Sequence, residues 1–194
     1  MRANKYLQRR RAETAEETRR RILDATFELH GEQGMAATTM KQIAARAGVG
    51  VGTVYHHFPK VEDTVAACSK MVAETMPMPT EAVFDGLTGL NARLQRLAGE
   101  LFSFYDRVRA LEFVRKDQDL LPMLRDFAAQ EDSNRLALTR AALAPFKVDR
   151  ALIPVAAALL DVGVYRALQR IGMDAGQAAV TAAQVIEARV TQRR

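Results

Sequence analysis

The chain is poor in the residues that build disulfide frameworks and metal sites. Among its 194 residues are one cysteine, three histidines and no tryptophan. The lone Cys68 excludes an internal disulfide and suits a reducing compartment. His56 and His57 are adjacent and would point about 100° apart on a helix, so with only His30 besides them we expect no metal site. Proline and glycine are also sparse, at 6 and 11 residues, which indicates helices.

Membrane and secretion signals are missing as well. No apolar run approaches the roughly 20 residues that a bilayer-spanning helix needs. The N-terminal segment carries positive charge without an apolar stretch, which is not the pattern of a secretory signal. We therefore expect a cytoplasmic protein.

Familiar catalytic motifs are also lacking. The sequence has neither a Gly-x-Ser-x-Gly nucleophile elbow nor a His-Glu-x-x-His metal motif. The run from Gly48 to Gly52 resembles a phosphate-binding loop, but no predicted strand precedes it and no Gly-Lys-Ser/Thr follows. We expect no enzymatic activity and no cofactor, and an enzyme in the helical part of the chain stays a rival hypothesis.

Positive charge is concentrated in the first 60 residues. That segment holds 11 Lys and Arg against 6 Asp and Glu, a net charge of +5, whereas residues 61–194 hold 17 of each. Such an asymmetry indicates a polyanionic partner for the basic segment. The charge alone leaves two alternatives open, a merely solvated basic surface and a module that binds acidic proteins.

A helix–turn–helix pattern lies inside the basic segment. Thr39, with Gln42 three residues later, predicts a capping box at the start of the first helix. Gly48 predicts the end of that helix, and Gly50 is a permissive N-cap for a second helix over residues 51–57. Motifs of this kind place their second helix in the major groove of DNA. Double-stranded DNA is therefore the expected partner.

The patterns divide the chain into four segments. Residues 1–12 lack apolar periodicity and predict a flexible basic arm, either a solvated tail or an element that reaches a minor groove. Residues 13–60 form the predicted helix–turn–helix domain, whose first helix is expected over residues 14–33. Residues 61–76 predict a connecting helix, which two prolines end. Residues 77–194 predict a helical domain.

The last of these segments predicts helices and no strands, so the expected fold class is all-α. Periodic apolar residues predict long helices over residues 81–105 and 149–171, followed by a last helix. The last two helices carry apolar surface wider than one core contact requires, which predicts pairing with the same helices of a second chain. Burial in the core of a single chain is the alternative.

These residues together resemble the DNA-binding domain of the TetR/AcrR family of bacterial transcriptional regulators, over about residues 14–66. Gly50 departs from the family pattern, which usually has serine there, and Val51 stands where lysine is frequent. The lysine expected at the start of the next helix is displaced by one position, to Lys60. The resemblance is carried by Thr38, Thr39, Ile43, Ala44, Ala47, Gly48, Val49 and the run from Gly52 to Phe58.

The resemblance implies a homodimeric regulator with an N-terminal three-helix DNA-binding domain and a C-terminal helical domain. Its two recognition helices would bind a pseudo-palindromic operator. A small apolar or amphipathic ligand in the C-terminal domain would release this repressor from DNA. An activator of the same fold, or a regulator without a ligand, is the alternative.

The resemblance also implies a set of residues that contact DNA. The side chains expected on the phosphate backbone are those of Thr39, Tyr55 and His57. Lys41, Thr53 and His56 are expected near the base edges of the major groove. Their cation, hydroxyl and imidazole are groups that suit hydrogen bonding to bases. The expected set is completed by Thr38, Val51, Gly52 and Lys60.

A ligand pocket is expected in the middle helices of the second domain, because aromatic and apolar residues cluster there beside a few polar ones. Simple filling of the core explains each of these residues equally well when it is taken singly, and the case for a pocket comes mainly from the family. The expected lining is Met71, Phe102, Tyr105, Leu111, Met123, Phe127, Asp161 and Tyr165.

Overall fold

The computed structural model describes the backbone of residues 2–192 and the side chains of Arg10 and of residues 12–192. Within residues 2–192 the chain has ten α-helices, one short 3-10 helix and no strand, which confirms the all-α fold class. It divides into two compact units, the first ending at Thr75 and the second beginning at Met76.

Four helices build the first unit. Gly34 and Gly48 follow the first two helices with φ angles of 89° and 65°, a left-handed conformation that glycine adopts without steric strain. Both helix ends are therefore where the sequence predicts them. The helices are α1, Arg2–Gln33; α2, Met40–Ala47; α3, Val51–His57; and α4, Val61–Thr75.

The predicted flexible arm is wrong for its described part, because α1 is helical from Arg2 onward; Met1 lies outside the described residues. Thr14, which was expected near the start of the helix, lies in its interior. Its hydroxyl donates to the carbonyl oxygen of Arg10, at 2.9 Å. Residues 2–12 contain no proline or glycine and are rich in strong helix formers, so nothing in them stops the helix.

A single apolar core joins the helices of the first unit. Ile22 of α1, Ile43 of α2 and Val54 of α3 are fully enclosed in it. Burying a side chain of this size contributes roughly 1.5–3 kcal/mol. Cys68 belongs to the same core, and burial raises the pKa of its thiol to about 12. The thiol is thus protonated at neutral pH and packs as a small apolar group.

A 3-10 helix at Glu81–Phe84 opens the second unit. Six α-helices follow it, and α5 packs chiefly against α10. The helices are α5, Leu90–Arg107; α6, Leu111–Asp117; α7, Leu124–Leu143; α8, Leu152–Leu159; α9, Val162–Arg170; and α10, Ala175–Thr191.

Both of the long helices predicted for this unit are interrupted. The first breaks between the 3-10 helix and α5, where Gly86 has a φ of 75°. The second bends by 47° between α8 and α9. At this bend Asp161 caps α9, because its Oδ1 accepts a hydrogen bond from the Gly163 amide at 2.7 Å. Apolar spacing continues through the bend, so periodicity alone does not reveal it.

Side chains from neighbouring helices satisfy the free end of α8. The Arg135 Nε on α7 donates to the carbonyl oxygen of Ala157 at 3.0 Å. The Tyr105 hydroxyl on α5 lies 3.1 Å from the carbonyl oxygen of Leu160. Arg135 also pairs with Glu131 one turn earlier on α7, with Nη1 2.7 Å from Oε1. The last carbonyls of a helix have few partners within it, and this cluster adds donors for those of α8.

Among residues 2–192 no single helix is long and apolar enough to cross a membrane. The bent pair of α8 and α9 reaches that length and composition only when its two helices are taken together.

Replacing Arg135 by Met is expected to destabilise the protein by about 3 kcal/mol, because the buried Glu131 would keep only the more distant cation of Arg115, 3.8 Å away. Only 8% of the Arg135 side chain and 10% of the Glu131 side chain are exposed. Urea denaturation measures the free energy of unfolding. Arg140→Met, at an exposed position of α7, is the control and should change it by less than about 0.5 kcal/mol. Equal losses in the two variants would contradict the role given to Arg135.

Candidate nucleic-acid interface

The predicted capping box at the start of α2 is confirmed. The Gln42 amide donates to the Thr39 hydroxyl oxygen at 3.3 Å, and the Thr39 amide donates to Oε1 of Gln42 at 2.9 Å. Thr39 itself is extended, with φ −111° and ψ 152°, as an N-cap requires. This reciprocal pair fixes the point at which the chain enters the helix–turn–helix.

The turn between α2 and α3 is short and depends on glycine. At Gly48 the chain enters the left-handed region, and the Val49 amide then donates back to the carbonyl oxygen of Ala44 at 3.0 Å. Gly50 is the N-cap of α3, as predicted, and its carbonyl oxygen accepts a hydrogen bond from the Thr53 amide at 2.9 Å. Since glycine has no side-chain acceptor, α3 begins without the side-chain cap that α2 has.

The seven residues of α3 are divided between packing and exposure. Val54 is fully buried, and Phe58 at the C-cap is 3% exposed. Tyr55 is 51% exposed and Val51 is 39% exposed, although both side chains are large and apolar in part. A short helix that turns such residues outward has the form of a recognition helix.

The structure leaves most of the predicted DNA-binding set accessible. Thr53 and His57 are half-buried, and the other exposed members are Thr39, Lys41, Val51, Gly52, Tyr55, His56 and Lys60. Thr38 differs, because it is 4% exposed and its hydroxyl donates to the carbonyl oxygen of Gly34 at 2.7 Å. The prediction that the Thr38 side chain contacts DNA is therefore not supported.

Lys60 lies in an electrostatically mixed position at the start of α4. Its amide donates to Oδ2 of Asp63 at 2.9 Å, and Glu62 lies beside Asp63 in the first turn of the helix. Acids suit a helix N-terminus, where the dipole is positive. They also weaken the attraction of this turn for phosphate, so we expect Lys60 to attract a phosphate less than its charge alone would suggest.

Part of the positive charge of the first unit is neutralised within it. Arg46 of α2 makes a two-pronged pair with Glu32 of α1, with nitrogen–oxygen distances of 2.9 and 2.8 Å, and also reaches Glu28 at 3.1 Å. The hydrogen bonds from Glu32 and Glu28 raise the pKa of the Arg46 guanidinium above its ordinary value. The net charge of +5 already includes both acids, so this pairing leaves the net charge unchanged and makes only Arg46 less available to a polyanion.

Three of the four aromatic residues in the predicted ligand set form a buried cluster. Phe102, Tyr105 and Tyr165 are all fully buried. The rings of Phe102 and Tyr165 are stacked with centroids 4.5 Å apart. The Tyr105 hydroxyl lies 2.9 Å from a carboxylate oxygen of Glu131. Burial raises the pKa of Tyr105 above its ordinary value, with the neighbouring carboxylate as a second cause, so the hydroxyl stays protonated.

The remaining members of that set are not gathered around one cavity. Leu111 lines a void of about 10 Å³ beside Glu131, room for about one water molecule. Met123 is half-buried and Phe127 is 37% exposed. Met71 lies in the first unit and packs against its core. Asp161 caps α9 and pairs with Arg135 at 3.1 Å, so its place is explained without a ligand.

A larger apolar groove runs between α8 and α10, with a volume of about 420 Å³. Val155 and Val185 line it and are 52% and 50% exposed, respectively. The two helices are those whose wide apolar surface predicts an interface between two chains. Burial in the core of a single chain, the alternative explanation for this apolar surface, does not account for the groove, because the groove stays uncovered in one chain.

Two groups of contacts were not predicted from the sequence. The i,i+4 spacing of Glu131 and Arg135 was a readable signal for an ion pair, although nothing in it shows that the pair is buried. Arg19 and Arg21 contact α3 and the turn before it across the fold, and no local pattern reveals such contacts.

Comparison with known proteins supports the predicted family resemblance. Residues 22–68 match the family described as bacterial regulatory proteins, tetR family. The chain is 52% identical over 50 residues to the HTH-type transcriptional regulator SrpR of Pseudomonas putida, covering 26% of this chain and 24% of that protein. It is 35% identical over 91 residues to the HTH-type transcriptional repressor KstR of Mycobacterium tuberculosis, covering 46% and 41%. The alignments thus span less than half of these curated relatives.

A solved structure resembles most of the chain. A protein from Saccharomonospora viridis, in complex with choline, matches with a TM-score of 0.65 over 89% of this chain and 94% of that chain, at 19% sequence identity. At this identity the likeness establishes the fold, and it extends well beyond the segment that matches the family.

Gly48→Ala and Gly52→Ala are expected to change stability in opposite directions. At Gly48 the φ is positive and an added Cβ would lie 3.0 Å from Nη2 of Arg21, so alanine should cost about 1–2 kcal/mol. At Gly52, inside α3, an added Cβ meets no atom within 4 Å, so alanine should add roughly 0.5–1 kcal/mol. Urea denaturation of both variants measures this, and two changes of the same sign would contradict the geometry.

Proposed function

We propose that this chain, whose residues 22–68 match the TetR family, is a homodimeric transcriptional regulator that binds double-stranded DNA. It represses transcription and leaves its operator when a small apolar or amphipathic molecule binds the second unit. The observation that carries the proposal is the outward face of α3, where Val51, Tyr55 and His56 are exposed around a buried Val54. The repressor assignment is supported by the likeness to KstR, which is named as a repressor.

In this proposal α3 enters the major groove with its exposed face toward the base edges. Lys41 supplies a cation for guanine acceptors, Thr53 a hydroxyl and His56 an imidazole donor. Val51 adds an apolar contact that suits a thymine methyl group. Gly52 lets the backbone approach closely, since open space surrounds its α-carbon.

Phosphate contacts then set the register of the motif on the duplex. The first amides of α2, at Met40 and Lys41, have no carbonyl partner within the helix and suit a phosphate oxygen. Tyr55 and His57 flank the base-reading face of α3. Two copies of α3 in a dimer read half-sites about 34–36 Å apart, or a multiple of that distance.

Release by a ligand requires different affinities of the two protein states for DNA. The Saccharomonospora viridis neighbour was solved with choline, which supports a small-molecule effector for this chain as well. The stack of Phe102, Tyr105 and Tyr165 fills the interior of the second unit, so a ligand that enters there must separate these rings. Such a rearrangement breaks the contact between Tyr105 and the bend at Leu160, which would change the course of α8 and α9.

The dimer is proposed to form over the groove between α8 and α10. A second copy related by a two-fold axis would cover Val155 and Val185 with the same surface, giving an isologous four-helix interface. Apolar patches that stay exposed on a single chain are typical of such interfaces.

Alanine variants of the exposed set test DNA binding. The probe is a duplex enriched by the wild-type protein from a random-sequence library, and anisotropy titration measures affinity. Lys41→Ala and His56→Ala should each cost about 1–3 kcal/mol of specific binding, because each removes a contact to a base edge. Lys147→Ala, which removes the same charge from an exposed position in the second unit, is the matched control and should leave affinity nearly unchanged.

Two outcomes would contradict the assignment. Tight and selective binding by a variant with Lys41, Thr53, Tyr55 and His56 all changed to Ala would remove α3 from the interface. Failure of the wild-type protein to enrich any sequence would remove DNA recognition itself. Transcription from the target promoter then separates repressor from activator, since deletion of a repressor raises expression.

Introducing charge into the α8–α10 groove tests the dimer. The double variant Val155→Glu, Val185→Glu should elute as a 21.5 kDa monomer, whereas the wild-type protein should have twice that mass, because two carboxylates cannot be buried unpaired. Light scattering after size exclusion gives the mass. Ile171→Glu, at a position 72% exposed and outside the groove, is the control. A double variant that stays dimeric would place the interface elsewhere.

A further inference from the structure

The recognition helix has little of its own to hold it in place. It has seven residues, a length of about 10 Å, and isolated helices of this size do not persist in water. Gly50 gives it no side-chain cap, and Val54 is its buried residue. The orientation of α3 must therefore be set by what contacts its two ends.

An arginine of α1 holds the chain just before α3. The Nη2 of Arg21 donates to the carbonyl oxygens of Ala47 and Gly48, the latter at 3.1 Å. These carbonyls lie at the end of α2, where the helix dipole is negative and backbone acceptors lack partners. A Cβ at Gly48 would lie 3.0 Å from the same Nη2 atom, so the guanidinium would have to shift slightly. Glycine is favoured here by its positive φ, and it also leaves room for the guanidinium.

A second arginine of α1 holds the chain just after α3. The Arg19 guanidinium carbon lies 5.3 Å from the ring centroid of Phe58, within the range of a cation–π contact. Phe58 is the C-cap of α3 and is buried on its other side. Arg19 and Arg21 therefore contact the chain on either side of the recognition helix from the same stretch of α1.

We infer that Arg19 and Arg21 are positioning residues, which bracket α3 from α1 and fix the angle at which it meets DNA. This inference rests on the proposed DNA binding. The two guanidiniums act through the turn and through Phe58 and do not touch the duplex. Arg21 acts through hydrogen bonds to backbone carbonyls and Arg19 through a ring contact. A small rotation of a reading helix misplaces every side chain on it, so loss of the bracket weakens recognition as a whole.

Arg20 provides a matched control within the same stretch. It lies between the two bracketing residues and its side chain is exposed. Arg19→Met, Arg20→Met and Arg21→Met remove the same charge from adjacent positions of one helix and keep a helix-favouring residue. Any difference in DNA affinity among the three variants therefore reflects the contacts that were lost, because the change in net charge is the same.

The experiment measures operator affinity against salt for each variant, at a temperature where its circular dichroism is that of the wild-type protein. The probe is the duplex enriched by the wild-type protein. Arg19→Met and Arg21→Met should each lower affinity about tenfold or more, with the slope of log affinity against log salt unchanged. Arg20→Met should lose less affinity than either. If Arg21→Met does not fold, Arg19→Met carries the same comparison.

A phosphate contact predicts a different result, because each lost contact reduces that slope by about 0.9. A reduced slope, or affinity equal to that of Arg20→Met, would overturn the inference. Amide hydrogen exchange of α3 in the absence of DNA gives a second readout. Exchange should be faster in Arg19→Met and Arg21→Met, with α10 unchanged, and equal rates in all variants would also overturn it. This readout stands even if the wild-type protein enriches no duplex, a result that would refute only the proposed function.

Discussion

The burial of Val54 is the contact on which the recognition surface depends. A helix of seven residues cannot be both well anchored and largely exposed, and in α3 most of the surface is left outside. Neighbouring parts of the domain therefore hold α3 in place. Gly48 turns the chain sharply, Phe58 is buried as α3 ends, and the long α1 reaches both points with its arginines. The exposed residues of α3 are then free to serve recognition.

In the second unit a similar constraint arises at the bend between α8 and α9. Breaking a helix leaves backbone carbonyls without partners, and an apolar interior offers nothing to satisfy them. Arg135 supplies a donor at this point, and the one hydroxyl proton of Tyr105 lies between the Leu160 carbonyl and the Glu131 carboxylate. Asp161 caps the helix that follows. The carboxylates of Glu131, Asp132 and Asp161 surround Arg135, so the bend, the ion pairs and the aromatic cluster form one connected arrangement. A rearrangement of these aromatic rings would therefore change the contacts at the bend.

Local chemistry made much of the first unit predictable from sequence, and non-local contacts explain what was not. The capping box at Thr39 and the turn at Gly48 need only neighbouring residues, so they were read correctly. The pairing of Arg46 depends on residues of α1 distant in sequence, and the burial of Thr38 depends on how the chain folds around it. Both change which groups are available to DNA. In the second unit, periodicity identified the helices but not the bend at Asp161. The ligand set of that unit remains a prediction, because burial of an aromatic residue looks the same in a core and in a closed pocket.

The central claim is that α3 and the start of α2 form the surface that meets DNA. The most direct measurement is an NMR titration of the isotope-labelled protein with the enriched duplex, following each backbone amide. The largest shift changes are expected at residues 39–41 and 51–57, with small changes at the buried positions of α1 and throughout α10. Changes that are largest in other parts of the chain, or equal for the enriched duplex and a scrambled one, would contradict it.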